Sequence, residues 1–341
     1  MSLITMSLQH TLLESLIDGH FHSGEQLAEG LGVTRAAVWK HIKILQSDYG
    51  LDIYAVTGKG YRLSQPVELL SSEIISSLIA NDIPTIDIET FLSINSTNQY
   101  LMQQLASGNR RCTAVFAEQQ TSGRGRHGRQ WISPFGGNLY FSILYQFGPM
   151  PNDMAGLSLA VGVAIVELLR KSGVESAKLK WPNDILVNGR KLCGILLEMH
   201  GESRGPYAVV LGIGLNVSMP DASIHSSGAE KIDQPWVALN QVLDIGLSRN
   251  ELAAQLLIHI MSALKEFEAN GLEAFRDRWM KWDSYMNTEV LLRLGDREIK
   301  GIARGIDQQG ALLLEQQGQP GSRQRFYSGE IKLRPINRSI K

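Results

Sequence analysis

The spacing of hydrophobic residues changes character along the chain, and no single regular fold accommodates all of it. Apolar side chains recur at helical spacing near the N-terminus, strand-like and helix-like stretches alternate over 91–270, and short strands separated by turns follow residue 285. A chain of 341 residues also exceeds one average domain. We therefore predict a multidomain α+β protein, with a helical unit at 1–65, a connector at 66–90, an α/β unit at 91–284 and a β unit at 285–341.

Residues 1–65 carry the pattern of a winged helix-turn-helix. Ser23 and Thr34 each precede a run with helical apolar spacing and can cap its first turn. Two short strand-like stretches around Gly58-Lys59-Gly60 then supply a wing. All five Lys and Arg residues of this unit fall on the third helix or the wing, whereas its six acids lie mostly on the first two helices. This asymmetry favours a DNA-facing surface over a plain packing module, with contacts expected from Arg35, Lys40, Lys43 and Lys59.

The middle of the chain predicts an α/β unit built on a mixed sheet. The stretch "NLYFSILYQF" at 138–147 alternates as a strand does, and "LSLAVGVAIVELLRKSG" at 157–173 has the composition of a buried helix. Asn188-Gly189 is a strong signal for a two-residue hairpin turn, because both positions tolerate positive φ. After residue 285, short strands separated by frequent turns predict a small β-barrel.

Composition and termini exclude several classes of protein. The formal net charge is −1, so any attraction for anions must come from a local patch. Cys112 and Cys193 lie far apart without metal-site spacing, so they indicate neither a disulfide framework nor a zinc site. No apolar stretch approaches the roughly 18 residues of a membrane span, and the N-terminus lacks the pattern of a signal peptide. We expect a cytoplasmic protein that makes no membrane contact.

The stretch "TSGRGRHGRQW" at 121–131, the arginine loop, combines three arginines with three glycines. It is not a P-loop, because no lysine-serine or lysine-threonine follows the glycines. A solvated surface loop is the simplest alternative. Glycines, however, let backbone N–H groups approach an anion closely, and guanidinium groups bind phosphate or carboxylate in pairs. We therefore predict an anion-binding loop between two strands.

Two further stretches support a binding site on the sheet. In "KWPND" at 180–184, Lys180 offers a point cation, and Asn183 and Asp184 offer oxygen ligands for a hard metal such as Mg²⁺. A plain surface turn would also use proline, asparagine and aspartate. In "LGIGLNV" at 211–217, glycines inside an apolar strand indicate either close approach by a ligand or a bulge.

Taken together, these motifs resemble those of the biotin–protein ligases, in particular the bifunctional members that also repress the biotin operon. The matching stretches are "STN" at 96–98, "EQQTSGRGRHGRQW" at 118–131, "SPFGGNLY" at 133–140, "KWPNDILV" at 180–187, "KLCGILLE" at 191–198, "GIGLNV" at 212–217 and "SGEIKLR" at 328–334. Lipoate-type ligases share the chemistry but lack the GRGRxGR loop. The resemblance implies a C-terminal barrel of the SH3-like type.

The resemblance also implies a reaction and a set of site residues. Biotin and ATP would give biotinyl-5′-AMP and pyrophosphate, with Mg²⁺, and a lysine of the biotin carboxyl carrier protein would then take the biotinyl group. By matching position, biotin is expected to contact Ser96, Thr97, Asn98, Gln120, Arg124, Gly125, Arg126 and Lys180, of which Arg126 and Lys180 are the catalytic candidates. Nucleotide contacts are expected from Arg129, Trp131, Asn183, Asn216 and Trp236, and weaker metal contacts from Asn183 and Asp184.

For partners, the resemblance implies operator DNA and a homodimer that forms when biotinyl-AMP is bound. One alternative keeps the binding pocket without turnover, which would make the protein a metabolite-sensing transcriptional repressor. The intact Lys180 and the full set of loop arginines favour the enzyme.

Overall fold

The computed structural model describes residues 3–83, 85–148, 154, 156–200, 207–219, 234–243, 246, 248–294, 297–316, 321–327 and 331–335. Within them the chain forms a helical N-terminal unit with a β-hairpin, a central unit on a seven-stranded sheet, and a C-terminal five-stranded sheet. The predicted change of architecture along the chain is therefore confirmed. No helix among these residues is long and apolar enough to cross a membrane.

The N-terminal unit is a winged helix-turn-helix. Its elements are α1 (Leu3–Glu14), α2 (Gly24–Gly30), α3 (Arg35–Tyr49), β1 (Ile53–Val56) and β2 (Gly60–Leu63). The two predicted caps form, because Ser23 Oγ accepts from the Gln26 N–H at 3.1 Å and Thr34 Oγ1 accepts from the Ala37 N–H at 3.2 Å. Strands β1 and β2 pair antiparallel and carry Lys59 in the turn between them.

The connector is an integral part of the central unit. It contains the predicted helix, α4 (Ser72–Ile79), and strand β3 (Asp87–Phe91) spans the boundary predicted at residue 90. Ile75 and Ile79 are buried in the central core. Pro66 and Pro84 suggested a linker by their turn chemistry, but the apolar face of α4 packs on a helix more than a hundred residues further along. Pro84 itself lies outside the described residues.

The central sheet is mixed, as predicted. Its strands are β3, β4 (Thr113–Ala117), β5 (Leu139–Gln146), β6 (Ala177–Lys180), β7 (Asp184–Val187), β8 (Arg190–His200) and β9 (Ala208–Leu215), in the order β3-β4-β5-β9-β8-β7-β6. Only β3 and β4 run parallel among these neighbouring pairs. Asn188 and Gly189 both adopt positive φ, 51° and 74°, in the β7–β8 turn.

Helices cover both faces of this sheet. On one face, α4, α6 (Leu157–Lys171), α7 (Arg249–Asn270) and α8 (Glu273–Trp282) share one core with the alternating side chains Leu139, Phe141 and Ile143. On the other face, α5 (Thr97–Ala106) packs with Leu101 and Leu105 against Leu144. Strand β5 is therefore buried on both faces along most of its length.

The C-terminal unit is an antiparallel sheet of β10 (Glu289–Leu294), β11 (Arg297–Ile306), β12 (Leu312–Gln316), β13 (Arg323–Phe326) and β14 (Ile331–Pro335). Its order, β13-β12-β11-β10-β14, shows no closed barrel among the described strands. The unit contacts the central unit directly, because the indole N–H of Trp181 donates to the carbonyl of Gly310 at 2.9 Å.

Two contacts fix the N-terminal unit and the connector to the central unit. The ring of Tyr49, at the end of α3, lies 5.1 Å from that of Phe135, which is only 7% exposed. On the connector, Glu68 accepts hydrogen bonds from the backbone N–H of Arg249 at 2.6 Å and from the hydroxyl of Ser248 at 2.7 Å. Glu68 thereby satisfies an N–H that the first turn of α7 would otherwise leave without a partner.

Candidate functional site

One cleft of about 330 Å³ lies on the α5 face of the central sheet, roofed by the arginine loop. Its lining includes every residue that was predicted for biotin, nucleotide or metal binding: Ser96, Thr97, Asn98, Gln120, Arg124, Gly125, Arg126, Arg129, Trp131, Lys180, Asn183, Asp184, Asn216 and Trp236. The fold thus brings together stretches that are far apart in sequence. Their individual roles stay predictions.

Glycines form the floor of the cleft. Gly194 of β8 and Gly214 of β9 are cross-strand partners, and the indole of Trp131 lies on both. A Cβ added at Gly214 would come within 2.4 Å of that ring, and one at Gly212 within 2.1 Å of the Asn98 side chain. The close approach predicted at the glycines of β9 is therefore made by two protein side chains, and neither position is a bulge.

The arginine loop is a tight hairpin. Arg124 and Gln130 form an antiparallel bridge, and the N–H of Gly125 donates to the carbonyl of Arg129 at 2.7 Å. At the tip, His127 and Gly128 both have positive φ, 56° and 71°. A side chain in the left-handed region is strained, so His127 pays a conformational cost that a glycine would not.

The polar end of the cleft is the start of α5. Ser96 caps this helix, and the N–H of Thr97 donates to Gln120 Oε1 at 2.9 Å. Asn98 is 4% exposed and donates from Nδ2 to Glu198 at 2.9 Å, and Arg124 donates to the other oxygen of the same carboxylate at 3.0 Å. Buried oxygen and amide groups of this kind suit a small polar ring system.

The opposite end of the cleft is cationic. Lys191 Nζ lies 2.8 Å and Lys180 Nζ 3.8 Å from the carboxylate of Asp184. Arg126 Nη1 donates to Asn183 Oδ1 at 3.5 Å. Burial lowers the pKa of Arg126, which means that its charge is held at an electrostatic cost that an anionic ligand would reduce. This end of the cleft suits phosphate and carboxylate oxygens.

The side chains of Asn183 and Asp184, the predicted weak metal contacts, both make contacts within the protein. Asp184 is paired with two lysines, while Asn183 accepts from Arg126 and donates to the carbonyl of Ile195 at 2.6 Å. Across the described ranges, no three His, Cys, Asp or Glu side chains are grouped so that they could hold a metal ion. The oxygens of both predicted Mg²⁺ ligands are therefore engaged in protein contacts, and metal binding by them stays a prediction.

Asn216 and Trp236 border the cleft through a segment that returns to β8. The N–H of Lys191 donates to the carbonyl of Pro235, and the N–H of Val237 donates to the carbonyl of Lys191, both at 2.9 Å. Asn216 Nδ2 holds this segment by donating to the carbonyl of Val237 at 3.1 Å. Asn216 therefore has a structural task at the edge of the cleft in addition to any ligand contact.

Two site residues were missed by the sequence analysis. Lys191 could have been found from the turn at Asn188-Gly189, because a two-residue hairpin pairs Leu186 with Lys191 and so places Lys191 on the face of Asp184. Glu198 had no local signal. Its importance comes from contacts with Asn98 and Arg124, 100 and 74 residues away in sequence.

A second surface lies on the N-terminal unit. Arg35, Lys40 and Lys43 on α3 and Lys59 on the wing are all exposed. Trp39, on the same helix, is 56% exposed, and its prominence among these cations was not predicted. A cationic helix face with an adjacent wing suits the phosphates and groove of double-stranded DNA.

Three family models match successive parts of the chain. They are described as an HTH domain over residues 9–62, the Biotin/lipoate A/B protein ligase family over 90–216, and the Biotin protein ligase C terminal domain over 285–334. Among solved structures, a biotin protein ligase from Aquifex aeolicus in complex with biotin and ATP has a TM-score of 0.61 at 28% identity, covering 73% of this chain and 99% of that one.

Two relatives match nearly the whole length of this chain. The "Bifunctional ligase/repressor BirA" of Salmonella typhimurium is 44% identical over 95% of this chain and 97% of its own. The protein of the same name from Escherichia coli is 43% identical over 95% of this chain and 96% of its own. On this similarity over nearly the whole length, the chain belongs to the family of the bifunctional biotin ligase/repressors.

Proposed function

We propose that this protein joins biotin to ATP to give biotinyl-5′-AMP and then transfers the biotinyl group to a lysine of the biotin carboxyl carrier protein. The observation that carries the proposal is a single cleft with polar buried groups at one end and cations at the other. Biotin has the matching polarity, since a cyclic urea lies at one end of the molecule and a carboxylate at the other.

In the first step, a carboxylate oxygen of biotin attacks the α-phosphorus of ATP, and pyrophosphate leaves with its electron pair. Two anions must therefore be brought together and aligned, which is work for preorganised cations. Arg126 and Lys180 are the catalytic candidates, with Lys191 as a further ammonium beside Asp184. Gly125 lets the loop backbone approach the ligand. The backbone carbonyl of Arg129 accepts a hydrogen bond from the N–H of Gly125 and so holds the hairpin closed.

In the second step, the lysine amine of the carrier attacks the acyl carbon of the mixed anhydride, loses a proton and displaces AMP. The enzyme needs no nucleophile of its own for either step. Lys180 stabilises charge on the phosphoryl oxygens in both. Trp131 and Trp236 are aromatic surfaces for the biotin chain and the adenine. Asn183 and Asn216, which also line the cleft, are the proposed nucleotide contacts.

Mg²⁺ enters this scheme with the substrate. The ion usually keeps several waters and binds through substrate phosphates and one or two carboxylates. Because Asp184 is already paired with Lys180 and Lys191, the phosphates of ATP are the main ligands in our proposal, and no step depends on an ion held by the protein.

The N-terminal unit makes the protein a repressor in the same proposal. Its cationic helix binds operator DNA, and two chains dimerise when biotinyl-AMP fills the cleft. By linkage, ligand and dimerisation must promote each other by the same factor. We expect tighter self-association with the adenylate by about 1–3 kcal/mol, the usual coupling range, to be measured by sedimentation equilibrium. Equal dimer constants in the two states would contradict ligand-controlled repression.

Intact mass spectrometry tests the ligase proposal. The purified chain is incubated with ATP, biotin and a carrier domain, and the carrier should gain one biotinyl group only when both small molecules are present. Binding of biotin without any mass gain would instead favour the metabolite-sensing repressor that has no turnover.

A cytoplasmic location and closure of the C-terminal sheet as an SH3-like barrel also stay predictions.

A further inference from the structure

A chain of buried hydrogen bonds runs under the polar end of the cleft and ends at Glu198. The carboxylate of Glu198 accepts from Asn98 Nδ2 at 2.9 Å. Ser142 Oγ lies 2.5 Å from Asn98 Oδ1, and Thr97 Oγ1 lies 2.7 Å from Ser142 Oγ. Thr97, Asn98 and Ser142 are at most 4% exposed, so water does not interrupt the chain. Glu198 stands behind Asn98, outside the lining of the cleft.

Glu198 determines which way the hydrogens point along this chain. An ionised carboxylate only accepts, so Asn98 must turn its NH₂ toward Glu198 and its carbonyl oxygen toward Ser142. Ser142 then donates its one hydrogen to Asn98. Thr97 must therefore donate its own hydrogen to Ser142, because each hydroxyl has only one.

This direction gives the hydroxyl hydrogen of Thr97 to Ser142, at 2.7 Å, and not to Gln120, at 3.2 Å, so no hydrogen remains between the oxygens of Thr97 and Gln120. Thr97 Oγ1 lies 3.2 Å from Gln120 Oε1. Gln120 is held with its oxygen toward Thr97, because the Thr97 N–H donates to that oxygen at 2.9 Å and Gln120 Nε2 donates to Ser133 Oγ at 3.2 Å. Both residues line the cleft, and each of these oxygens has the capacity to accept one further hydrogen bond.

Without the carboxylate, the reverse direction is equally compatible with the geometry. The Asn98 amide could turn and donate to Ser142, Ser142 could donate to Thr97, and Thr97 could donate to Gln120 Oε1. The pair of oxygens would then be bridged by a hydrogen. The carboxylate of Glu198 is what selects one of the two directions.

We infer that Glu198 is a positioning residue for substrate recognition: by orienting Asn98, it keeps Thr97 Oγ1 and Gln120 Oε1 as a joint acceptor for one N–H of a cyclic urea. The inference rests on biotin being the substrate. It makes the site selective for a ring that carries an N–H at this position, because a ring oxygen there would face two acceptors.

The experiment compares direct binding of biotin with that of its two cyclic-carbamate analogues, each with one ureido N–H replaced by oxygen, by titration calorimetry without ATP. The wild-type protein should bind one of the two analogues at least about 10-fold more weakly than biotin, consistent with an unpaired buried polar group. The discrimination ratio is the Kd of that analogue divided by the Kd of biotin. In Glu198→Met, which offers no hydrogen-bond acceptor to Asn98, this ratio should fall to about 3 or less.

Two matched variants separate the hydrogen-bond direction from other effects of Glu198. Glu198→Gln removes the charge opposite Arg124 but keeps an oxygen for Asn98, so the ratio should stay near that of the wild type. Ser142→Ala cuts the chain without touching Arg124 and should lower the ratio as Glu198→Met does, which also covers the case in which Glu198→Met fails to fold.

An unchanged ratio in both Glu198→Met and Ser142→Ala would overturn the inference, as would an equal fall in Glu198→Gln. A purely structural role for Glu198 would weaken biotin and both analogues alike and leave the ratio unchanged. If the wild-type protein bound no biotin at all, the proposed function would fail instead, and the two failures are thereby distinguished.

Discussion

A buried ion pair joins Glu118, which directly follows β4, to Arg249 of α7. Glu118 also binds Leu70 of the connector. Glu118 Oε2 accepts from Arg249 Nη1 at 2.8 Å and from Nη2 at 2.5 Å, and Glu118 Oε1 accepts from the Leu70 N–H at 2.6 Å. The side chains are 2% and 6% exposed. Complete burial raises the pKa of Glu118, while the guanidinium of Arg249 acts against that rise.

We predict that Glu118→Gln lowers the free energy of unfolding by about 3–5 kcal/mol, the usual cost of leaving one charge of a buried pair without its partner. Glutamine keeps the side-chain volume of glutamate and an oxygen that accepts from the Leu70 N–H. The loss of stability therefore comes from the missing charge and not from a cavity. Arg249 cannot compensate easily, because its remaining contact is the Asn138 carbonyl at 3.3 Å and its Nε–H is buried without a hydrogen-bond partner within the described structure.

The pair itself is isolated by a double-mutant cycle. Arg249→Met should cost a similar amount, and Glu118→Gln/Arg249→Met should fall short of the sum of the single losses by about 3 kcal/mol or more, since no buried charge remains. Urea unfolding followed by tryptophan fluorescence reports on this core, where Trp181 and Trp279 are buried. The slope with urea must stay constant for the comparison to hold.

A matched control comes from the exposed pair Arg293–Glu298, whose side chains are 40% and 47% exposed. Glu298→Gln should change stability by less than about 1 kcal/mol. Single losses at Glu118 and Arg249 that add within about 0.5 kcal/mol would refute the reasoning, because independent sites behave in that way.

Lys180→Ala should fold normally and form adenylate roughly 10²-fold more slowly, the scale for removing one preorganised charge-stabilising group; near-normal pyrophosphate release would contradict its assigned role. Arg126→Gly should lose a guanidinium clamp on phosphate, so that reactive adenylate escapes and biotinylates lysines of bystander proteins; labelling confined to the carrier would argue against the clamp. Asp283→Asn should change the pH dependence of stability, because burial raises the pKa of Asp283 from 3.8 to about 6. A raised carboxyl pKa gives stability that is complete below pH 3.8 and is lost as the pH rises through 6. The variant should therefore gain up to about 3 kcal/mol over wild type at pH 8 and converge with it near pH 4, and parallel urea-midpoint curves for the two proteins would rule this out.

Local chemistry predicted much of this fold. The caps at Ser23 and Thr34 and the turn at Asn188-Gly189 were read correctly because each depends on a few neighbouring residues. The alternation in β5 identified one of its two buried faces. Barrel closure was beyond such patterns, since it would require the two edge strands of the sheet, β13 and β14, to pair with each other.

The candidate site was predictable only as a set of motifs. The glycines of β9 suggested close approach, but nothing in the local pattern indicated that Trp131 and Asn98 would make it. The positioning role inferred for Glu198 was likewise not predictable from the sequence. It depends on hydrogen bonds among Asn98, Ser142 and Thr97 that only the folded chain brings together. The attachment of the connector to the central unit was not predictable from local sequence, because Arg249, which donates to Glu68, is 181 residues away.

The attachment of Glu68 to the start of α7, together with Tyr49 against Phe135, means that the N-terminal unit is not a tethered module. In a dimer, two rigidly mounted recognition helices stand at one fixed separation and one fixed rotation. Such a dimer would bind only half-sites with the matching spacing and helical phase. Inserting half a helical turn between the operator half-sites, about 5 base pairs, places one half-site on the opposite side of the duplex. A flexible linker would tolerate that change, whereas in the proposed dimer this connector would make the spacing of the half-sites part of the specificity.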